Sequence, residues 1–159
     1  MNIKIICVGK LKEKYLKDAC NEYIKRLSRF GSVDVNELNE FKISDTPSET
    51  EIEKAIAKES ESILKAISKN DYVIALDVKG EMKSSEILAK EISVKLTEGV
   101  SSLCFVIGGS NGYDDSVRKR ADMKLSFSKM TFPHQLFRVM LLEQIYRVFK
   151  INSGEKYHK

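Results

Sequence analysis

The sequence has 159 residues, 42% of them hydrophobic, and a formal net charge of +4. This size predicts one domain around one core, and no apolar run is long enough to cross a bilayer. Cys7, Cys20 and Cys104 are widely spaced without a CxxC or Cys/His pattern, which argues against a metal site and indicates a reduced, cytoplasmic protein.

The charge is unevenly distributed along the chain. Residues 34–61 hold nine acidic side chains against three lysines, whereas residues 118–159 hold ten basic side chains against three acidic ones. A basic face suits a polyanion such as RNA. An ordinary solvated helix surface explains the same pattern equally well.

Strand and helix patterns alternate along the chain. Strands are predicted at residues 2–8, 33–38, 72–78, 103–107 and 123–127. Helices are predicted at residues 13–30, at 48 to about 69, in a short charged segment after Gly112, and at 135–151. A further helix is predicted to be capped by Ser84 or Ser85 and to end at Gly99. This alternation predicts an α/β fold in which a mostly parallel sheet is flanked by helices on both sides.

Several residues have the chemistry of helix ends and turns. Gly31 is placed to stop the first helix, and Ser48 with Glu51 matches a capping box. The segment 79–81 (KGE) is predicted to turn the chain after the third strand. Pro133 fits the first position of the last helix.

The last helix is apolar on more than one face. Such a helix must bury more than one face, and a chain of 159 residues offers little depth for it. We therefore expect one face to meet the protein's own sheet and another to form a symmetric homodimer. The alternative is a single central helix.

The segment 108–112 (GGSNG) follows an apolar strand. Glycine lets the backbone approach a ligand closely, so this segment could cradle an adenosine or phosphate group. It does not match the GxGxxG fingerprint of dinucleotide sites. A tight turn is an equally good interpretation.

The segment 127–134 (FSKMTFPH) and the chain end are further candidate site segments. Backbone groups in a non-helical loop need partners, which a bound heterocycle could supply. His134 would stand near a helix N-terminus, where the dipole disfavours its protonated form, and the sequence alone favours a surface or capping histidine. Tyr157 could stack on a base and His158 could accept a proton if the tail folds over a site, although such tails are commonly disordered.

Four segments resemble the ribosomal large-subunit RNA methyltransferase H family of the SPOUT (α/β-knot) superfamily. They are VGKLKEKY at 8–15, FVIGGSNG at 105–112, LSFSKMTFPHQLFRVMLLEQIYR at 125–147 and the terminal GEKYHK. The resemblance covers essentially the whole chain as one domain. It implies a deep trefoil knot near the C-terminus, S-adenosylmethionine as methyl donor, a homodimer, and methylation of N3 of a pseudouridine in 23S rRNA of assembled ribosomes, without a metal.

The resemblance also implies site residues. The cofactor-binding positions carry over onto Leu76, Gly108, Phe127, Ser128, Lys129, Met130, Thr131 and Phe132. N3 of the base must lose a proton during or before attack. His158 is the candidate acceptor, delivered by the partner's tail, and Tyr157 would help to hold the nucleobase.

Arg138 and Arg147 could contact rRNA phosphates or stabilise the anionic base, or they could form salt bridges at a dimer interface. Three other functions stay open at this stage. They are a non-catalytic ribosome-binding protein, a nucleotide enzyme that uses GGSNG as a phosphate loop, and a SPOUT methyltransferase acting on tRNA.

Overall fold

A sheet of five parallel strands, in the order β2-β1-β4-β3-β5, organises the molecule in a computed structural model that describes residues 1–157. The strands are β1 (Asn2–Val8), β2 (Ser32–Leu38), β3 (Tyr72–Met82), β4 (Ser102–Ile107) and β5 (Met123–Ser126). Every pairing between them is parallel. The predicted parallel α/β architecture is confirmed.

Helices follow the strands in alternation. They are α1 (Lys14–Leu27), α2 (Glu49–Ala66), α3 (Ser85–Thr97), α4 (Asp115–Arg120) and α5 (His134–Asn152). Within residues 1–157, no helix combines the length and the apolar character that a membrane span requires.

The two faces of the sheet carry two cores. Because side chains alternate along a strand, Ile3, Ile5 and Cys7 of β1 pack into a core shared with α1, α3 and α5. Ile6 and Val8 face the other way, into a smaller core shared with α2 and α4. Helix α5 therefore lies on the larger core, against α1 and α3.

Serine side chains cap α2 and α3. Ser84 Oγ accepts the Ile87 N–H at 3.2 Å, and Ser48 Oγ accepts the Glu51 N–H at 3.2 Å. The Glu51 carboxylate, however, accepts both the N–H and the hydroxyl of Ser44 at 3.0 and 2.9 Å. The serine half of the Ser48 box forms, and contacts of the Glu51 carboxylate with Ser44 and then with the Ser48 backbone lower its pKa, so the glutamate also fixes the preceding loop.

Gly31 does not end α1 as predicted. The helix ends at Leu27, and Gly31 has no positive φ. A Cβ at Gly31 would collide with the Met1 carbonyl oxygen, so the glycine is needed for close approach to the chain start. Gly99 shows the expected chemistry instead: at φ 100° it donates its N–H to the Leu96 carbonyl at the end of α3.

The predicted turn at residues 79–81 is also wrong. Strand β3 continues to Met82, but its register against β5 breaks between Leu76 and Glu81, which both pair with Leu125. The intervening residues form a bulge. The KGE sequence was interpreted as a turn because a bulge and a turn use the same residue types.

Candidate active site

The bulge within β3 and the exits of the neighbouring strands β4 and β5 line one cavity of about 560 Å³. Its walls are the β3 bulge, the loop after β4 and the loop after β5, with Arg118 of α4 and Phe137 of α5 completing them. Parallel sheets place ligand sites beyond the carboxyl ends of their strands. The volume lies within the range of small-molecule sites.

The structure brings together nearly all of the cofactor positions expected from the sequence. The expected residues that line the cavity are Leu76, Gly108, Phe127, Ser128, Met130, Thr131 and Phe132. Lys129 lies in the same loop with an exposed side chain and does not line the cavity.

Sequence reasoning missed several lining residues. These are Asp77, Val78 and Lys79 of the bulge, together with Tyr113 and Arg118. The bulge could not be predicted because the segment 79–81 (KGE) has the composition of a turn. Tyr113 could have been found from its place directly after the glycine segment.

The glycine segment is both a tight turn and a wall of the cavity. Gly112 has φ 77° and donates its N–H to the Gly109 carbonyl at 2.9 Å. A Cβ at Gly108 would lie 2.9 Å from the Tyr113 ring and 3.0 Å from the Gly112 backbone. The two interpretations of this segment are therefore compatible.

The loop after β5 is held by local contacts. The Ser126 hydroxyl donates to the Ser128 carbonyl, and the Ser128 hydroxyl accepts the Met130 N–H, both at 3.0 Å. The ring of Phe137 meets Phe127 edge-on with centroids 4.9 Å apart. The loop thus presents an ordered, largely aromatic wall.

His134 is the first residue of α5, and Pro133 is its N-cap, so the predicted placement of proline at the first helical position is wrong. Burial, as the largest cause, lowers the pKa of His134, which is hydrogen-bonded to the Gly108 backbone. Its Nδ1 atom is buried without a hydrogen-bond partner. A neutral imidazole therefore stands between the glycine turn and α5.

The two arginines of α5 have different surroundings. Arg138 is 5% exposed and pairs with Glu37 at 2.6 Å. Arg147 is 24% exposed and pairs with Glu143 at 2.6 Å. Arg147 also lies 4.9 Å from the centroid of the Tyr157 ring.

Tyr157 packs onto α5 of its own chain. Its ring meets Tyr146 edge-on with centroids 5.0 Å apart, and its hydroxyl lies 3.4 Å from Glu143. The structure therefore brings Tyr157, Glu143 and Arg147 together. The predicted proton acceptor His158 lies outside the described residues.

A second cavity, of about 520 Å³, lies against the same β5 exit. It shares Leu125, Ser126, Phe127 and Phe132 with the first cavity. Glu143 lines it as well. The loop after β5 thus separates two cavities, each large enough for a small molecule.

Among residues 1–157, no group of three or more His, Cys, Asp or Glu side chains is arranged to hold a metal ion.

The fold and the cavity define an α/β protein with a candidate ligand site at the carboxyl edge of a parallel sheet. The sequence model of the family described as "Predicted SPOUT methyltransferase" matches residues 1–158, and the chain belongs to that family. Family membership implies the deep trefoil knot of the SPOUT fold in the C-terminal part of the chain.

Relatives of known name agree with this assignment. The chain is 57% identical, over the full length of both chains, to the ribosomal RNA large subunit methyltransferase H of Clostridium botulinum. It is 56% identical, again over both full lengths, to the protein of that name in Bifidobacterium animalis subsp. lactis. Among solved structures, the tRNA (m1G37) methyltransferase of Aquifex aeolicus shares the fold, with a TM-score of 0.54 and 16% identity over 93% of this chain and 70% of that one.

Proposed function

We propose that the protein methylates N3 of a pseudouridine in the 23S rRNA of assembled ribosomes, with S-adenosylmethionine as the methyl donor. The observation that carries this proposal is the full-length identity of 57% to a ribosomal RNA large subunit methyltransferase H. The cavity at the β3 bulge and the exits of β4 and β5 supports it, because it offers a site of the right size next to a second space for the acceptor base.

The first cavity fits the adenosine and methionine parts of S-adenosylmethionine. The backbone exits at Leu76 and Gly108 offer carbonyl and N–H groups for an adenine ring, and the wall at Phe127 and Phe132 offers apolar surface. Gly108 has no side chain, and there is no room for one beside Tyr113 and Gly112. A ligand can therefore approach its backbone directly. When bound, the cofactor supplies an activated methyl group on a sulfonium centre.

The acceptor base would enter the second cavity, on the Glu143 side of the aromatic loop. The chain then has to orient the base and remove one proton from N3 as the new N–C bond forms. We assign the proton to His158. Tyr157, which lies beside this cavity against Tyr146 and Glu143, would hold the base by stacking.

The two arginines have separate roles in this proposal. Arg147, close to Tyr157 and partly exposed, would face rRNA phosphate or the anionic base. Arg138 is held by Glu37 and the Gly9 carbonyl and would support the start of α5, next to the cofactor loop. It would contact RNA only if its ion pair with Glu37 broke.

Exposed apolar residues on α5, such as Leu136 at 43% exposure, would contact a second copy of the chain.

The function is tested by methyl transfer from labelled S-adenosylmethionine to intact unmodified ribosomes, free 23S rRNA and bulk tRNA. We expect label on a pseudouridine of 23S rRNA in intact ribosomes only. Label on tRNA would identify a tRNA-modifying SPOUT enzyme. Salt-dependent ribosome binding without any S-adenosylmethionine binding would identify a non-catalytic binding protein.

The role of the tail is tested with three substitutions and one truncation. His158→Ala should lower the rate of methyl transfer at least about a hundredfold, with unchanged cofactor affinity. Tyr157→Phe, which keeps the ring, should retain most activity, whereas Tyr157→Ala should not. Full methylation by a chain that lacks residues 157–159 would contradict the role of the tail.

A further inference from the structure

The β3 bulge is the part of the cavity wall that the sheet does not hold. Leu76 pairs with Leu125 of β5, and the next pairing of β3 begins only at Glu81, again with Leu125. The residues between them leave the ladder, and Asp77, Val78 and Lys79 face the cavity. Something outside the ladder has to fix their position.

Two side chains from the opposite wall reach the bulge. The Tyr113 hydroxyl donates a buried hydrogen bond to the Leu76 carbonyl at 2.8 Å. The Arg118 Nε donates to the Asp77 carboxylate at 2.8 Å. The other oxygen of Asp77 accepts the Lys79 N–H at 2.9 Å, which closes the bulge on itself.

These two side chains also support each other. The Arg118 guanidinium lies 5.2 Å from the centroid of the Tyr113 ring, in cation–π contact. The ring is 5% exposed, and burial raises the pKa of its hydroxyl, which therefore stays protonated and able to donate near neutral pH.

Tyr113 and Arg118 lie next to residues that contact α2 and the smaller core. The Asp114 N–H, next to Tyr113, donates to the Ser60 hydroxyl of α2 at 2.9 Å. Val117, next to Arg118, is fully buried in the smaller core. Through Tyr113 and Arg118, the bulge is therefore attached to α2 and α4.

We propose that Tyr113 and Arg118 are positioning residues that clamp the β3 bulge and thereby preset the width of the cofactor cavity. This inference rests on the proposed function, in which that cavity takes S-adenosylmethionine. Neither residue lines the second cavity, where the acceptor base would bind. The Tyr113 hydroxyl fixes the Leu76 carbonyl, which belongs to a residue that lines the cavity.

Loss of the clamp should weaken binding and leave the chemical step unchanged. A bulge that samples several conformations must be ordered when the ligand binds, and this ordering reduces affinity. In Tyr113→Phe we expect the Kd of S-adenosylmethionine and of S-adenosylhomocysteine to rise together by about fivefold to twentyfold, the range expected for one buried hydrogen bond. Arg118→Ala should act in the same direction.

The experiment combines calorimetric Kd values, kcat and KM on ribosomes, and amide hydrogen exchange of the ligand-free protein at residues 77–80. KM for the cofactor should rise with Kd, kcat should stay within about twofold, and exchange at the bulge should accelerate. Tyr72→Phe, at the opposite end of the same strand, and Lys119→Ala, beside Arg118, are the matched controls and should match the wild type.

The outcomes separate the clamp from the proposed function. Wild-type Kd values in both Tyr113→Phe and Arg118→Ala, or a fall in kcat with unchanged Kd, would overturn the clamp while leaving the methyltransferase intact. A wild-type protein that binds no S-adenosylmethionine would overturn both. If Tyr113→Phe did not fold, as judged by thermal unfolding, Arg118→Ala on the partly exposed side of the clamp would decide alone.

Discussion

The guanidinium of Arg138 on α5 donates to the Glu37 carboxylate at the end of β2 at 2.6 Å, although the two residues are 101 positions apart. A second nitrogen of Arg138 donates to the Gly9 carbonyl at 3.0 Å. The side chain is 5% exposed. The start of α5, which carries the cavity loop on its N-terminal side, is thus tied to the loop after β1.

Arg138→Ala should lower the free energy of unfolding by about 2 kcal/mol, because it removes a buried guanidinium that donates to the Glu37 carboxylate and to the Gly9 carbonyl. Urea unfolding at neutral pH measures this change. Lys14→Ala removes an exposed ion pair with Asp18 and should change stability by no more than about 0.5 kcal/mol. Equal effects of the two substitutions would show that the Arg138 pair is no stronger than a surface pair.

Asp71 should give the protein an acid-sensitive contribution to stability. The side chain is 3% exposed, and it accepts hydrogen bonds from Lys4, Ser102 and the Ser68 N–H at 2.7–2.8 Å. Burial alone would raise the pKa of Asp71, but these donors outweigh it and lower the pKa from its ordinary 3.8. Since the folded pKa lies below the unfolded one, the stabilisation is complete above pH 3.8 and is lost as the pH falls through the folded pKa.

Asp71→Asn should therefore cost about 2 kcal/mol at pH 7, and the difference from the wild type should shrink below about pH 4. Urea unfolding between pH 2 and 7 measures both curves. Asp18→Asn, at an exposed position, serves as the control. A difference that stayed constant over this range would show that the charge of Asp71 does not contribute.

Gly108→Ala should weaken cofactor binding about tenfold or more, because the added Cβ meets the Tyr113 ring and the Gly112 backbone at 2.9 and 3.0 Å. Calorimetric titration with S-adenosylmethionine measures the effect. Asn111→Ala changes an exposed residue of the same turn that does not line the cavity, and should bind like the wild type. Normal affinity in Gly108→Ala would place the cofactor elsewhere.

Leu136→Glu should convert a dimer into monomers. Leu136 is 43% exposed on α5, and a buried charge at an apolar interface without a partner is strongly unfavourable. Sedimentation equilibrium should give half of the wild-type mass. Val94→Glu, at an exposed apolar position on α3, should keep the wild-type mass. Monomeric wild-type protein would contradict the homodimer.

The strand–helix alternation could be predicted from the sequence because the apolar residues within each segment have the spacing of a strand or of a helix. The apolar run at β4 and the spacing of apolar residues in α1 follow from burial on one or both sides. The sequence also predicts the cap at Ser48 and narrows the cap of α3 to Ser84 or Ser85, since capping depends on a few neighbouring residues.

Features that depend on distant partners could not be predicted. The Arg138–Glu37 pair joins elements that only the folded chain brings together. The bulge in β3 depends on the register of β5, which comes about forty residues later. Gly31 was assigned to a helix end because its real reason, contact with the Met1 carbonyl, is invisible in local sequence. A knot depends on how the chain threads through itself, so only the family resemblance predicts it.

The central place of β4 has a consequence for the order in which the chain can fold. Strand β4 pairs with both β1 and β3, which do not pair with each other. During synthesis, only the β1–β2 pair can form before residues 102–107 emerge from the ribosome. The nascent chain must therefore keep the apolar strand β3 unpaired, and one edge of β1 uncovered, until β4 has emerged. We expect this enzyme to fold late and slowly, as the many long-range strand contacts require, and to complete its cofactor site only after its last helix has been made.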